Sequence, residues 1–194
     1  MLLMKDIIQD GHPLLRKRAA DVTVPLSEKD LNTLREMMAF IKNSQDPEQI
    51  EKYKLRPSVG LAAPQISISK KMFCIHTKDE QGEKLYSLAL VNPKIIAFSE
   101  EMTYLSGGEG CLSVDENITG LVPRAKRIKV RAHVVDLETG ISTQAMLKFS
   151  GFVSIIVQHE YDHLLGILFI DKIKPGLPTL NPIVFKNETT ERTV

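Results

Sequence analysis

The run Gln158-His159-Glu160-Tyr161-Asp162-His163 constrains this chain more than any other stretch. It follows Ser150-Gly151-Phe152-Val153-Ser154-Ile155-Ile156-Val157, an apolar approach free of proline, and the two together read as one helix. On a helix, positions 159 and 163 share a face, so two imidazoles can grip one metal ion. Glu160 cannot point at that ion along the same line, but it can reach a water beside it and act as general base. Stepping back from His159 by three, four and seven positions gives Ile156, Ile155 and Phe152 on the same face, which predicts an apolar pocket next to the metal. The ordinary alternative is a helix whose histidines only cap or hydrogen-bond. A third ligand is needed to set that aside.

The rest of the chain supplies mostly strands. Lys71–His76, Leu85–Ile96 broken at Asn92-Pro93 into two strands, Thr103–Leu105, Lys126–Val135, Thr143–Phe149 and Ile167–Ile173 are expected to be extended. In Lys126–Val135, Ile128, Val130, Ala132 and Val134 alternate with Arg127, Lys129, Arg131 and His133, the pattern of a half-buried strand with His133 solvated. Gly11-His12-Pro13 marks a turn. Ser27 to about Gln45 reads as a helix capped by Ser27, with Leu31, Leu34, Met38 and Ile41 as its core face. Residues 48–57 look like a surface insertion with one helical turn, and Gly166 suits a helix C-cap. The expected class is α+β: antiparallel strands wrapped around the central motif-bearing helix, with the N-terminal helix packed outside. Residues 1–175 are expected to form a single catalytic domain. Residues 176–194 are read as a C-terminal extension, partly irregular, whose polar end from Lys186 frays.

Composition narrows the partners. With 25 basic and 24 acidic residues the net charge is +1, which gives no electrostatic case for a nucleic-acid site or an acidic membrane surface. Two cysteines, Cys74 and Cys111, imply no disulfide framework, and Cys74 in a strand reads as a buried thiol. The apolar start Met1–Met4 is too short for a signal peptide or anchor, so a reducing, cytoplasmic location is expected.

Two further stretches look unusual. Ser58-Val59-Gly60-Leu61-Ala62-Ala63-Pro64-Gln65 combines small residues with an apolar run, as where something approaches the backbone closely. Gln65 is its one strong hydrogen-bonding side chain after Ser58, and its plain reading is a buried amide bonded to a loop. Gly107-Gly108-Glu109-Gly110-Cys111-Leu112-Ser113 leaves a sulfur and its neighbouring N–H groups open among three glycines. Other third ligands fit poorly. In H-E-x-x-H-x-x-G-x-x-H the last histidine would fall on Phe169, and the only glutamates downstream are Glu188 and Glu191 in the tail. Cys111 with His159 and His163 leaves a fourth place for water, the pattern of a catalytic site.

Three blocks occur in order: V-G-L-A-A-P-Q at 59–65, E-G-C-L-S at 109–113 and Q-H-E-Y-D-H at 158–163. Together they resemble the signature motifs of the peptide deformylase family over about Gly11 to Ile173. The insertion and the missing long C-terminal helix are similar to the second bacterial subclass, typical of Gram-positive organisms. The resemblance implies a hydrolase that removes the N-formyl group from N-formylmethionine on newly made polypeptides and releases formate. It implies Cys111, His159 and His163 as metal ligands and Glu160 as proton carrier. The Leu112 N–H and the Gln65 side-chain amide become donors to the formyl oxygen. The peptide main chain would pair along the Val59–Gly60 segment, with Ser58, Leu61, Leu105, Gly110, Phe152, Ile155 and Ile156 completing the substrate site. One divalent ion per chain is implied, Fe2+ as the native one, with Zn2+, Ni2+ or Co2+ taking its place in purified protein; by softness alone the donor set suits zinc. Partners would be formyl-Met nascent chains and, transiently, the ribosome, with a monomeric enzyme. The one departure is Ser58, where the family pattern has glycine; its Cβ and hydroxyl stand at the mouth of the implied pocket. Asp162, turned away from the metal, is expected to pair with Arg124. At this stage a protease of internal bonds, or a non-catalytic binder of formyl-Met chains, stands as the alternative.

Overall fold

The computed structural model describes residues 1–186. Its strands are β1 (Gly60–Ala62), β2 (Met72–Lys78), β3 (Leu85–Phe98), β4 (Met102–Thr103), β5 (Arg124–Ala125), β6 (Arg127–Val135) and β7 (Ser142–Ser150). Five pair antiparallel in the order β1-β2-β3-β6-β7, and β4 pairs with β5 in a small ribbon. The helices are α1 (Glu28–Asn43), α2 (Pro47–Tyr53) and α3 (Gly151–Leu165).

Alternation along β2 shows how the sheet serves two cores. Phe73 and Ile75 face the core around α3, while Met72 and Cys74 face the core around α1. On the α1 side, Leu34, Met37, Phe40 and Ile41 are fully buried, and Ser27 Oγ caps the helix by accepting from the Asp30 N–H at 3.2 Å. Cys74 is a buried thiol directed at the Leu34 carbonyl, 3.6 Å away.

Helix α3 lies inside the protein: 13 of its 15 residues are buried, so its polar groups must find partners within the fold. Gln158 binds the backbone of β5 twice, accepting from the Ala125 N–H at 3.1 Å and donating to its carbonyl at 2.8 Å. Ser154 Oγ donates to the same carbonyl at 2.9 Å. At the N-terminus, Gly151 has φ +57 and Glu80 crowds its α-carbon; the Glu80 carboxylate accepts from the Phe152 N–H at 3.1 Å, where the helix dipole favours an anion. Gly166 ends the helix at φ +75, as its place after Leu165 predicts.

Three expectations are corrected. Leu85–Phe98 is one strand, not two: Asn92 at φ +49 forms a bulge that shifts the register between Val91 and Lys94, and pairing with β6 resumes beyond it. Ile167–Ile173 is not a strand but contains a 3-10 turn over Phe169–Lys172, because Asp171 caps the Leu168 N–H at 2.9 Å and buries Leu168 and Phe169 together. His133 is half-buried rather than solvated, with its Nδ1 enclosed.

Residues 176–186 form no helix or strand, yet they pack on the α3 core. The Ile183 N–H donates to the Tyr104 carbonyl at 2.8 Å, and the Phe185 ring meets Phe152 edge-on at 5.0 Å between centroids. The expected fraying end from 187 onward, with Glu188 and Glu191, lies outside the described residues.

Candidate active site

Helical spacing on α3 brings His159 and His163 to one side, with ring centroids 5.1 Å apart. The loop after β4 carries Cys111 to the same place. One ligand atom from each of Cys111, His159 and His163 lies within 4.8 Å of the others, and all three residues are buried. Cys111 Sγ is 3.3 Å from His163 Nε2. Among the described residues this is the one cluster of at least three such side chains close enough to hold an ion.

A network of buried charges orients this set. His159 Nδ1 lies 2.8 Å from Glu109 Oε2, which leaves Nε2 to face the cluster. Glu109 takes both Nε and Nη2 of Arg124, at 2.7 and 2.8 Å. Arg124 Nη1 reaches Asp162 at 2.5 Å, and Lys172 Nζ reaches the same carboxylate at 2.6 Å. Each charge is thereby paired, which burial requires. Burial pushes the Glu109 carboxyl up, but Arg124 and His159 outweigh it and hold it down at about 2. Burial likewise disfavours a charged His159, yet Cys111 and Glu109 raise it to about 10. Burial and the neighbouring His159 and Arg124 charges push His163 the other way, well below the usual imidazole range, so the second imidazole is kept neutral.

Glu160 stands apart from that network. Burial raises its carboxyl to about 7, opposed by the charge on His159. Its Oε2 is buried and has no hydrogen-bond partner, while its Oε1 rests against Gly60. The donor set and an uncommitted carboxylate oxygen fit a divalent ion that carries water or substrate.

The remaining predicted residues fall around this centre. Gln65 Oε1 accepts from the Ala62 N–H at 2.8 Å, and its Nε2 faces Cys111 Sγ at 3.5 Å and Ser113 Oγ at 3.3 Å. The Leu112 N–H makes no hydrogen bond among the described residues. Ser58, Val59, Gly60 and Leu61 lead into and form β1, all buried, and Gly110 precedes the cysteine. Leu105, Phe152, Ile155 and Ile156 are buried in the α3 core. Leu61 points the other way, into the α1 core.

Sequence reading missed three contributors. Glu109 was only a letter in a motif, although a metal-binding histidine calls for a carboxylate behind it. Arg56, at the end of the supposed surface insertion, donates to the carbonyls of Cys111 at 3.1 Å, Leu112 at 3.3 Å and Val114 at 3.1 Å. Gln9 Nε2 adds a bond to the Leu112 carbonyl at 3.2 Å. No local pattern announces either long-range tie.

The family model described as polypeptide deformylase matches residues 4–177. The chain is 53% identical over 182 residues to peptide deformylase 2 of Bacillus anthracis, covering 94% of this chain and 96% of that one. It is 55% identical over 174 residues to the peptide deformylase of Halalkalibacterium halodurans, covering 90% and 92%. Among solved structures, the peptide deformylase of Thermotoga maritima matches with a TM-score of 0.64 at 34% identity, covering 87% of this chain and 97% of that one. A Met-Ala-Ser-bound class I type b peptide deformylase of Acinetobacter baumannii matches with a TM-score of 0.64 at 32% identity, covering 86% and 96%. Whole-length likeness in sequence agrees with likeness in fold, and Cys111, His159 and His163, from two of the ordered motifs, lie together: the chain belongs to the polypeptide deformylase family.

Proposed function

We propose that Cys111, His159 and His163 hold one divalent metal ion and that Glu160 carries the proton of the reaction. The reaction is that of the family: a metal-dependent hydrolase removes the N-formyl group from N-formylmethionine at the start of newly made polypeptides and releases formate, and this chain is such an enzyme. The observation that carries the residue assignment is the meeting of three ligand atoms within 4.8 Å beside a carboxylate oxygen, Glu160 Oε2, that nothing else engages.

A divalent ion held by Cys111, His159 and His163 would act as a Lewis acid and lower the pKa of a water molecule bound to it. Glu160 accepts a proton from the water that attacks the formyl carbon, then returns it to the departing amine. Its raised carboxyl suits both directions of transfer near neutral pH. Negative charge develops on the formyl oxygen, and in this reading the Leu112 N–H and Gln65 Nε2 donate to it. The Ala62 bond fixes the Gln65 amide so that its nitrogen, not its oxygen, faces the centre. One such donor is worth about 2.7–4 kcal/mol of barrier.

The substrate's main chain lies along Ser58–Leu61, with Gly110 opposite, and its methionine side chain meets Leu105, Phe152, Ile155 and Ile156. The Met-Ala-Ser peptide on the A. baumannii relative supports this substrate class. Fe2+ is the ion we assign, with Zn2+, Ni2+ or Co2+ replacing it in purified protein. Residues 1–175 act as one catalytic unit, close to the 4–177 span of the family match, with the following residues as an extension. We place the enzyme in the cytoplasm as a monomer that meets nascent chains in transient contact with the ribosome. Among the described residues no helix is long and apolar enough to cross a membrane.

Protein purified without air, analysed for metal and assayed for formate release from formyl-Met-Ala-Ser, tests the assignment. One ion per chain and turnover abolished by a chelator are expected. Turnover that survives complete metal removal would defeat it.

A further inference from the structure

β1 is the outermost strand of its sheet, paired with β2 on one edge and open on the other. The His76 N–H donates to the Val59 carbonyl at 2.9 Å, and Gly60 stands opposite Ile75. In an antiparallel ladder this makes Val59 and Leu61 the residues bonded to β2, and it turns the N–H and C=O of Gly60 toward the open edge. These are the groups an added peptide strand would use.

They are already engaged. Ser58 Oγ donates to the Gly60 carbonyl at 2.5 Å and accepts from the Gly60 N–H at 3.3 Å. One hydroxyl, two residues upstream, thus occupies both edge groups of the residue that packs against Glu160. The hydroxyl is also held in position. The Ser58 N–H donates to Ser44 Oγ at 3.1 Å, and the Ser58 carbonyl accepts from Gln45 Nε2 at 2.9 Å, both just past the end of α1. Ser58 is 5% exposed, so water cannot readily take over the role.

We propose that the Ser58 hydroxyl is an intramolecular plug on the substrate-pairing edge of β1, which a peptide's main chain must displace in order to bind. The inference rests on the reading of that edge as the substrate strand. Ser58 touches no reacting atom and acts as a specificity and positioning residue. It weakens binding because the peptide gains its bonds to Gly60 only by breaking those to Ser58. Without the hydroxyl, the Gly60 groups are left unsatisfied in the free protein, and a peptide is then the best partner they have.

The test compares the parent with Ser58→Ala, Ser58→Gly and Ser58→Thr, after thermal melts show each to be folded. Calorimetry with the product peptide Met-Ala-Ser is expected to give binding about three- to tenfold tighter for the Ala and Gly variants. KM for formyl-Met-Ala-Ser should fall in parallel, by more than kcat changes. Ser58→Thr keeps the hydroxyl and should stay near the parent. Exchange of the Gly60 amide proton should quicken in Ser58→Ala without peptide and slow again with it. Unchanged or weaker peptide binding in both hydroxyl-free variants overturns the plug, as does equal tightening in Ser58→Thr. A parent that released no formate would count against the enzymatic reading, while the calorimetric comparison would still decide this one.

Discussion

Gly60 and Glu160 share one small space: a Cβ on Gly60 would stand 2.8 Å from Cδ of Glu160, closer than real carbon atoms come. The glycine is required by close approach, not by its backbone angles. Glu160 is long enough to move, so Gly60→Ala should fold and bind metal much as the parent does. The carboxylate would shift by about an ångström, which costs on the order of 100-fold in rate. Formate-release kinetics alongside metal analysis check this; a Gly60→Ala enzyme with parental kcat would show that the contact positions nothing.

Glu160→Gln keeps the shape of the side chain and removes its ability to take a proton. Turnover should fall by about 100- to 10,000-fold, the usual share of a general base. Metal content should remain at one ion per chain, since Glu160 is not a ligand. Loss of the ion would instead place Glu160 among the groups that hold it.

Glu109→Gln breaks a buried pair and leaves the Arg124 guanidinium short of charge. The expected loss is about 3–5 kcal/mol in urea unfolding. His159 also loses its anionic partner at Nδ1, so metal affinity should drop by about 10- to 100-fold. A competitive metal titration measures the second effect independently of the first.

Asp30 gives a pH dependence remote from the centre. Burial works to raise its carboxyl, but hydrogen bonds from Lys70 at 2.5 Å and Ser27 at 2.9 Å, with the lysine charge, leave it lowered. A lowered folded-state value means the group stabilises the protein above its ordinary value of 3.8, and that contribution is lost as pH falls through the lower one. Asp30→Asn should therefore be less stable than the parent at neutral pH, and the gap should close in acid. Urea unfolding at pH 7 and near pH 3 checks the sign; a gap that widens in acid would refute it.

Much of this molecule was legible in its sequence, for identifiable reasons. The period of α3 and its terminal Gly166 gave the central helix, and Ser27 gave the start of α1. The i, i+4 spacing of His159 and His163 foretold that the two imidazoles meet, and the glycine-rich loop marked Cys111, which the fold brings beside them. The failures were equally physical. A proline after Asn92 argues for a break, yet a bulge absorbed it within one strand. The short apolar run at Ile167–Ile170 fits strand and turn alike, and only the cap by Asp171 decides. Arg124–Ala125 exists as a strand only because β4 lies beside it. Glu109 and Arg56 owe their roles to partners far along the chain, where periodicity says nothing.

Arg56 gathers three carbonyls of the Cys111 loop, across as many as 58 residues of sequence. The Cys111 loop is therefore scaffolded by the very stretch that reads as a surface insertion in the sequence. Shortening the link between α1 and β1 would pull on the backbone that carries Cys111. Anyone transplanting this centre into another protein would have to carry that stretch along with the loop and the helix.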